Sequence, residues 1–206
     1  MSPQAEAALS RPRVEGDREA EIFDATIKVL VDVGYDRLTM DAVASAARAS
    51  KATLYRRWNT KLRLVIDALL ITKPAPALPD TGSLRGDLLE VFCGIGGITD
   101  AESVGVLTSV ITAMSRDAEF AEAFRTEILA PKMLVAQQVW ERARDRGELR
   151  ADVDLALFAP AAVGVVLHRV FVLGDQPTPD LVGRVVDQII LPAALHLDQT
   201  TTQEQS

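Results

Sequence analysis

The sequence predicts an all-α protein in two parts: a group of short N-terminal helices and a larger helical C-terminal domain. Three observations point there. Apolar residues make up 48% of the 206 positions but aromatics only 5%, a balance rich in Ala, Leu and Val that suits helices better than strands. Apolar residues recur at helical spacing along the first long segment, with Phe23, Ile27 and Leu30 at i, i+4 and i+7. The short segments that follow each open on a residue able to cap a helix.

Residues 1–16 are polar with two prolines and read as a loose arm, whose Arg11 and Arg13, with nearby Arg18, are within reach of a nucleic acid. A first helix is expected over Asp17–Val33, its stripe widened by Ile22 and Val31, with Gly34 as the stop because glycine takes positive φ cheaply. Thr39 is a good N-cap for a second helix from Met40 to Ala46 or Ala47, and Asp41 favours its positive first turn. After a break at Arg48-Ala49, Ser50 caps a third helix, Lys51–Trp58. Asn59 or Thr60 caps a fourth that runs to about Thr72. Lys73–Gly82 carries three prolines, which cannot continue a helix, so the boundary between the two parts falls there.

Beyond that boundary helices are expected at Ser83–Gly97, Ser103–Ser115, Asp117–Arg146, Asp152–Leu173 and Pro179–Leu197. Gly147 and Gly174 end two of them, and Pro131 kinks or divides the longest. The domains are therefore 17–73 and 83–198, with a polar tail over 199–206. Leu155, Phe158, Val163, Val166 and Val170 on one of the last two helices, and Leu181, Val185, Ile189 and Ile190 on the other, can pack on more than one side. That suits a two-fold interface and equally suits a monomer core.

Composition excludes several functions. No apolar run reaches the ~18–20 residues that a membrane span needs, and the N-terminus lacks the apolar core of a signal peptide. The single Cys93 forbids an internal disulfide or a multi-cysteine metal site, and the compartment expected is the cytoplasm. His168 and His196 are far apart in sequence, no nucleophile or phosphate-loop motif is present, and the glycines around Cys93 lack dinucleotide-loop spacing. No catalytic residue, metal site or cofactor is expected, and the chain does not read as an enzyme.

The net charge of −7 hides an asymmetry. Residues 1–73 hold 12 basic against 10 acidic side chains, whereas residues 74–206 hold 10 against 19. Within Arg37–Arg63 there are seven basic residues and one acidic, Asp41. Screening confines each charge to about 10 Å, so this local contrast decides phosphate contact. On the third helix Leu54 and Trp58 share a face that can pack on Val43 and Ala47, while Lys51, Ala52, Tyr55 and Arg56 lie on neighbouring faces. A cation, a small residue, a phenol and a guanidinium on one side, with the other side anchored, is what a helix entering the major groove requires. Ser50 at the helix N-terminus can take a phosphate oxygen. An amphipathic helix with a solvated basic face shares these features.

The run Leu38-Thr39-Met40-Asp41-Ala42-Val43-Ala44, then Ser50-Lys51-Ala52-Thr53-Leu54-Tyr55-Arg56-Arg57-Trp58, then Lys61-Leu62, resembles the DNA-binding domain of the tetracycline-repressor (TetR) family over residues 17–72. The resemblance implies a helix-turn-helix at Thr39–Trp58, with Ser50, Lys51, Thr53, Tyr55 and Lys61 on positions that contact DNA and Thr39 on one that meets phosphate. The chain departs from the family pattern at three places. Arg48 replaces the turn glycine and could reach a phosphate, Ala52 replaces a second glycine and could meet a thymine methyl, and Arg57-Trp58 replaces His-Phe. The expected DNA-binding set is thus Thr39, Arg48, Ser50, Lys51, Ala52, Thr53, Tyr55, Arg56 and Lys61.

The resemblance further implies a homodimer that binds double-stranded operator DNA and a small-molecule effector, acting as a repressor released by that effector. Met114, Phe124, Trp140, Phe158, His168 and Phe171, with Phe120, are the bulky or polar residues on otherwise apolar helices and are the candidates to line an effector pocket. Plain core packing is the competing explanation at each. The competing function is a helical interaction module whose basic N-terminal region binds an acidic protein.

Overall fold

The computed structural model describes residues 3–94, 97–99 and 101–195, with side chains from residue 16 onward. Among these residues every regular element is helical, without strands; one isolated bridge joins Leu149 and Leu195. The expected tail at 199–206 and His196 lie outside the described residues.

Helix α1 spans Pro3–Arg37. It begins well before Asp17, so most of the segment expected as a loose arm has helical backbone. Ala5, Ala7, Ala8 and Leu9 favour this, and the proline at position 3 stands at a helix start, where its missing N–H costs nothing, while Pro12 inside the helix works against it. Gly34 interrupts α1 with φ 75°, the left-handed stop that the sequence predicts. Helix α2 covers Met40–Ala46, α3 Lys51–Arg57 and α4 Lys61–Thr72. Each is capped as its sequence requires: Thr39, Ser50 and Thr60 accept hydrogen bonds from the backbone N–H of Ala42, Thr53 and Arg63.

Next come α5 (Leu84–Cys93), α6 (Ala101–Arg116) and α7 (Ala118–Ala123). A π-helical stretch, Phe124–Leu129, joins α7 to α8 (Ala130–Asp145). A short 3-10 turn at Leu155–Leu157 leads into α9 (Phe158–Phe171). Helix α10 (Pro179–Val185) continues through a second π-helical stretch, Val186–Ile190, into α11 (Leu191–Ala194). Both widened stretches end two residues before a proline, Pro131 and Pro192. Proline has no N–H to give to the preceding turn and its ring crowds the carbonyl there, and a widened turn relieves both. The helices expected over Asp117–Arg146 and Pro179–Leu197 are therefore each divided.

The chain divides into two compact units. The first joins the residues up to Pro74 with Gly105–Leu129. Its core holds Ile22, Phe23, Ile27, Leu30, Val43, Leu54, Trp58, Leu64 and Leu69, together with Val106, Val110, Ala113, Phe120 and Ile128. The boundary expected at 73–82 is thus not the only crossing, because 105–129 returns to complete this core. A group of four helices, three of them short, buries little surface alone, and α6 and α7 supply the rest. The approach is close: a Cβ on Gly105 would sit 3.1 Å from a methyl of Val31. Ser109 donates to the Leu30 carbonyl at 3.1 Å, and Arg116 pairs with Asp36 at 2.5 Å. The Phe120 ring is fully buried, 4.4 Å from that of Tyr35.

The second unit comprises Ala75–Val104 and the chain from Ala130 on. Leu84, Leu88, Val139, Trp140, Ala162, Val166, Leu181, Val185, Val186 and Ile190 form its core. Asp87 is fully buried within it. Its carboxylate accepts from the Thr81 N–H and hydroxyl, both at 2.8 Å, and from Arg142 at 3.1 Å, with Arg146 at 3.6 Å. Arg142 also donates to the Pro79 carbonyl, and Glu148 accepts from the N–H of Leu84 at 3.0 Å. The end of the proline-rich segment and the start of α5 are thereby pinned to the end of α8.

Candidate nucleic-acid interface

Helices α2 and α3 are held from behind by one apolar cluster containing Val43, Ala44, Ala47, Leu54 and Trp58. Trp58 is the main anchor. Its ring meets that of Phe23 edge-on at 5.6 Å, and its indole N–H donates to Asp67 at 2.9 Å. Anchoring Leu54 and Trp58 turns the opposite side of α3 outward, where Lys51, Ala52, Tyr55 and Arg56 are exposed; Tyr55 is 51% accessible.

The turn between the helices carries Arg48 at φ 50°, the single non-glycine residue with positive φ among those described. The position does require the left-handed conformation, which costs an L-residue about 1–2 kcal/mol. Bracing accompanies it: Arg18 donates to the Arg48 carbonyl at 2.6 Å, and the next N–H, of Ala49, reaches the Ala44 carbonyl at 2.8 Å. At the other end of α3, Glu19 holds Arg57 through contacts of 2.8 and 3.0 Å. The N-terminal half of α1 thus braces both the turn and the end of α3. Sequence reading gave Arg18 no such role and passed over Glu19, because these pairings span 30 and 38 residues.

The remaining expected site residues divide into two groups. Thr39 and Ser50 are exposed caps, and the Ser50 hydroxyl is additionally 2.7 Å from that of half-buried Thr53. Lys51 stands in the first turn of α3 and pairs with Asp41 at 2.5 Å; that hydrogen bond, more than the charge alone, raises the ammonium pKa. Arg56 is exposed and makes no ion pair among the described residues, in contrast to neighbouring Arg57. Lys61 is placed differently from expectation. It is half-buried, its ammonium donates to the Tyr35 carbonyl at 3.0 Å, and it lies 4.3 Å from the centre of the Tyr35 ring. It satisfies a carbonyl at the end of α1, as a cation at a helix C-terminus does. Burial, and after it Asp117, pushes the Tyr35 phenol well above its ordinary range, so it stays protonated.

The effector-pocket candidates do not converge. Met114, Phe120 and Phe124 belong to the core of the first unit. Trp140 and Phe158 stack at 5.1 Å inside the core of the second, while His168 and Phe171 are exposed on α9. Bulk on an apolar helix thus marks core packing at some of these positions and an exposed face at others. An open cavity of about 450 Å³ lies between α5 and α10, lined by Leu89, Cys93, Gly183 and the Arg85–Asp187 pair. A second, of about 440 Å³, lies between α1 and α6 beside Tyr35 and Thr112. Neither includes any of the candidates. Cys93 is half-buried, and burial, followed by Glu90, pushes its thiol pKa up.

Among the described residues no helix is long and apolar enough to cross a membrane. Residues 22–68 match the family model "Bacterial regulatory proteins, tetR family", and residues 78–189 match "Tetracyclin repressor-like, C-terminal domain". An uncharacterised HTH-type transcriptional regulator of Mycobacterium tuberculosis is 34% identical over 180 residues, 85% of this chain and 87% of that protein. A DNA-binding transcriptional repressor, TetR, of Mycobacteroides abscessus is 34% identical over 176 residues, 84% of this chain and 92% of that one. The solved structure of the TetR family transcription regulator SCO0332 superposes with a TM-score of 0.60 at 30% identity, covering 86% of this chain and 98% of that one. With its capped α2–turn–α3 unit presenting a basic outer face, the chain belongs to the TetR family of DNA-binding, helix-turn-helix transcriptional regulators.

Proposed function

We propose that the protein is a homodimeric repressor that reads an inverted-repeat operator with α3 and leaves it when a small molecule binds the second unit. The observation that carries the reading is the outward face of α3. Lys51, Ala52, Tyr55 and Arg56 are exposed on a helix whose other side is fixed by Leu54 and Trp58, with Lys51 held by Asp41 across the turn. Lysine and arginine can take guanine O6/N7, and Ala52 allows close approach to a thymine methyl. The caps Thr39 and Ser50 and the turn residue Arg48 flank this face and hold the helix on the phosphates.

Dimerisation is supported by an apolar stripe on α9. Phe158, Ala162 and Val166 face the core, whereas Leu157 (64% accessible) and Phe171 (50%) face outward, as do Pro160, Gly164 and His168 between them. Ile189 after α10 is exposed as well. We assign this stripe to a second copy of the chain, which sets two α3 helices about 34–36 Å apart on successive major grooves. Effector binding would then shift the population between two dimer arrangements, with α4 carrying the change to the heads and a coupling of about 1–3 kcal/mol.

The test is selection of binding sites from a random duplex pool near physiological salt, with Lys51→Ala and Tyr55→Ala in parallel. An inverted repeat recovered by the wild type and lost by both variants supports the reading. Weak, salt-sensitive binding without an enriched motif rejects it.

A further inference from the structure

Between α3 and the π-helical stretch runs a continuous chain of polar contacts that DNA contact alone does not call for. The indole N–H of Trp58, the C-terminal anchor of α3, donates to Asp67 Oδ2 at 2.9 Å. The other oxygen of Asp67 accepts from Arg63 Nε at 2.8 Å, one turn back on α4. Arg63 Nη1 then donates to both oxygens of Glu127, at 2.9 and 3.1 Å. Glu127 sits inside the Phe124–Leu129 π-helical stretch, flanked by Phe124 and Ile128, which pack into the same core. Four side chains from three elements are linked end to end, and all belong to the first compact unit.

We propose that Glu127 is a positioning residue for DNA reading, acting on α3 through Arg63, Asp67 and the Trp58 indole. The physical basis is shared occupancy. Arg63 has one planar fork, and Glu127 and Asp67 divide its donors. The orientation of the fork therefore fixes which Asp67 oxygen is left for Trp58, and that bond sets the roll of the seven-residue α3. Glu127 is also well placed to vary. A π-helical turn closes on i→i+5 hydrogen bonds and sits as a single-turn bulge within a helix, often at functional sites, and this one leads directly into α8 of the second unit. A change of winding at 124–129 would withdraw Glu127 from Arg63 while leaving every DNA-facing side chain intact. The inference rests on α3 being the reading helix, and its test separates the two.

The full chain is labelled with ¹⁵N at its two tryptophans, and the indole signals are assigned with Trp140→Phe. Glu127→Gln is expected to shift the Trp58 indole N–H signal and leave that of Trp140 in place. Operator affinity should fall while the salt slope and the affinity for a scrambled duplex stay unchanged. Ion pairs this accessible are worth about 0.2–1 kcal/mol, or ~1.4- to 5-fold per head, so a two-headed complex should lose about two- to thirty-fold. In an Asp67→Asn background the same change should have no further effect on either readout, and Glu127→Asp, which keeps the carboxylate, should restore part of the affinity. Additive losses in the double variant, or an unmoved Trp58 signal, overturn the proposal. If Lys51→Ala binds operator like the wild type, the reading of α3 fails instead, and the indole spectra still decide whether Glu127 communicates with Trp58.

Discussion

Replacing Asp87 by Asn keeps the shape of the side chain and removes the charge on which the second unit's polar network converges. Asp87 is fully buried, and its partners are the N–H and hydroxyl of Thr81 and the guanidinium groups of Arg142 and Arg146. Breaking a buried ion pair from one side typically costs about 3–5 kcal/mol. Here the cost is reduced, because both arginines are 26% accessible and Arg142 keeps the Pro79 carbonyl and Asp80. About 2–3 kcal/mol is the expected loss by that discount. At this chain length it lowers the midpoint of thermal unfolding by ~4–12 °C. The dependence on pH gives an independent check. Burial works against ionisation and is the largest influence, but the Thr81 N–H, its hydroxyl, Arg142 and Arg146 together outweigh it and hold the carboxyl below its ordinary value. A depressed folded-state pKa stabilises the fold above the unfolded value of about 3.9 and is lost as pH falls through the folded value. Wild-type stability should therefore drop on acidification below about pH 4 more steeply than that of Asp87→Asn. The assay is urea unfolding followed by circular dichroism between pH 3 and 7 (~1 kcal/mol differences are resolved). A variant within about 0.5 kcal/mol of wild type at neutral pH, the scatter of an ordinary surface change, would refute this account of the network.

Three further outcomes follow from the geometry. Arg48→Gly removes left-handed strain of about 1–2 kcal/mol against an entropic cost of ~0.5–1. It should raise stability by roughly 0.5–1 kcal/mol while reducing the salt slope of operator binding by ~0.9; an unchanged slope would mean that Arg48 meets no phosphate. Ser50→Ala deletes the cap of α3 and its contact with Thr53 and should cost about 1 kcal/mol in denaturant unfolding, with no loss meaning that the helix start is held by packing alone. Phe171→Glu places a charge on the exposed stripe of α9 and should leave sedimentation at the monomer mass with thermal stability little changed. A variant that still sediments as a dimer would move the interface elsewhere.

The reading head was legible where its determinants are local. Thr39, Ser50 and Thr60 each sit one residue before a helix and bond to an N–H three positions on, so the starts of α2, α3 and α4 could be placed almost to the residue. Gly34 was legible for the same reason, since glycine takes positive φ cheaply, and the turn at Arg48 was placed by the break between two capped helices. What escaped was non-local. Arg57 with Glu19, Arg63 with Glu127 and Lys61 with Tyr35 join distant positions, and charge pattern alone does not say which cation is spoken for. The break at Arg48-Ala49 before the Ser50 cap marks a turn, but nothing local marks 105–129 as part of the first core. Its apolar residues look like those of any amphipathic helix. Pro192 did carry a usable signal, a helix breaker near the chain's last helix, which the expectation of one continuous Pro179–Leu197 helix disregarded. The pocket candidates are scattered over two cores and the exposed side of α9, because size and polarity do not say which neighbours surround a side chain.

The interleaving of the first core has a practical consequence for anyone who would rewire this regulator. A swap made at the proline-rich segment, transplanting residues up to Pro74 onto a foreign sensor, would carry the DNA-facing residues but strand Phe120, Val110 and Ile128 on the discarded half. The graft would then present Tyr35 and Leu30 to water, and its failure would look like lost specificity when the fault was an unfilled interior. A chimera that carries Gly105–Leu129 along with the head, and makes its junctions at the two ends of that insert, keeps the interior whole. In this protein the natural unit of exchange is two pieces of chain, not one.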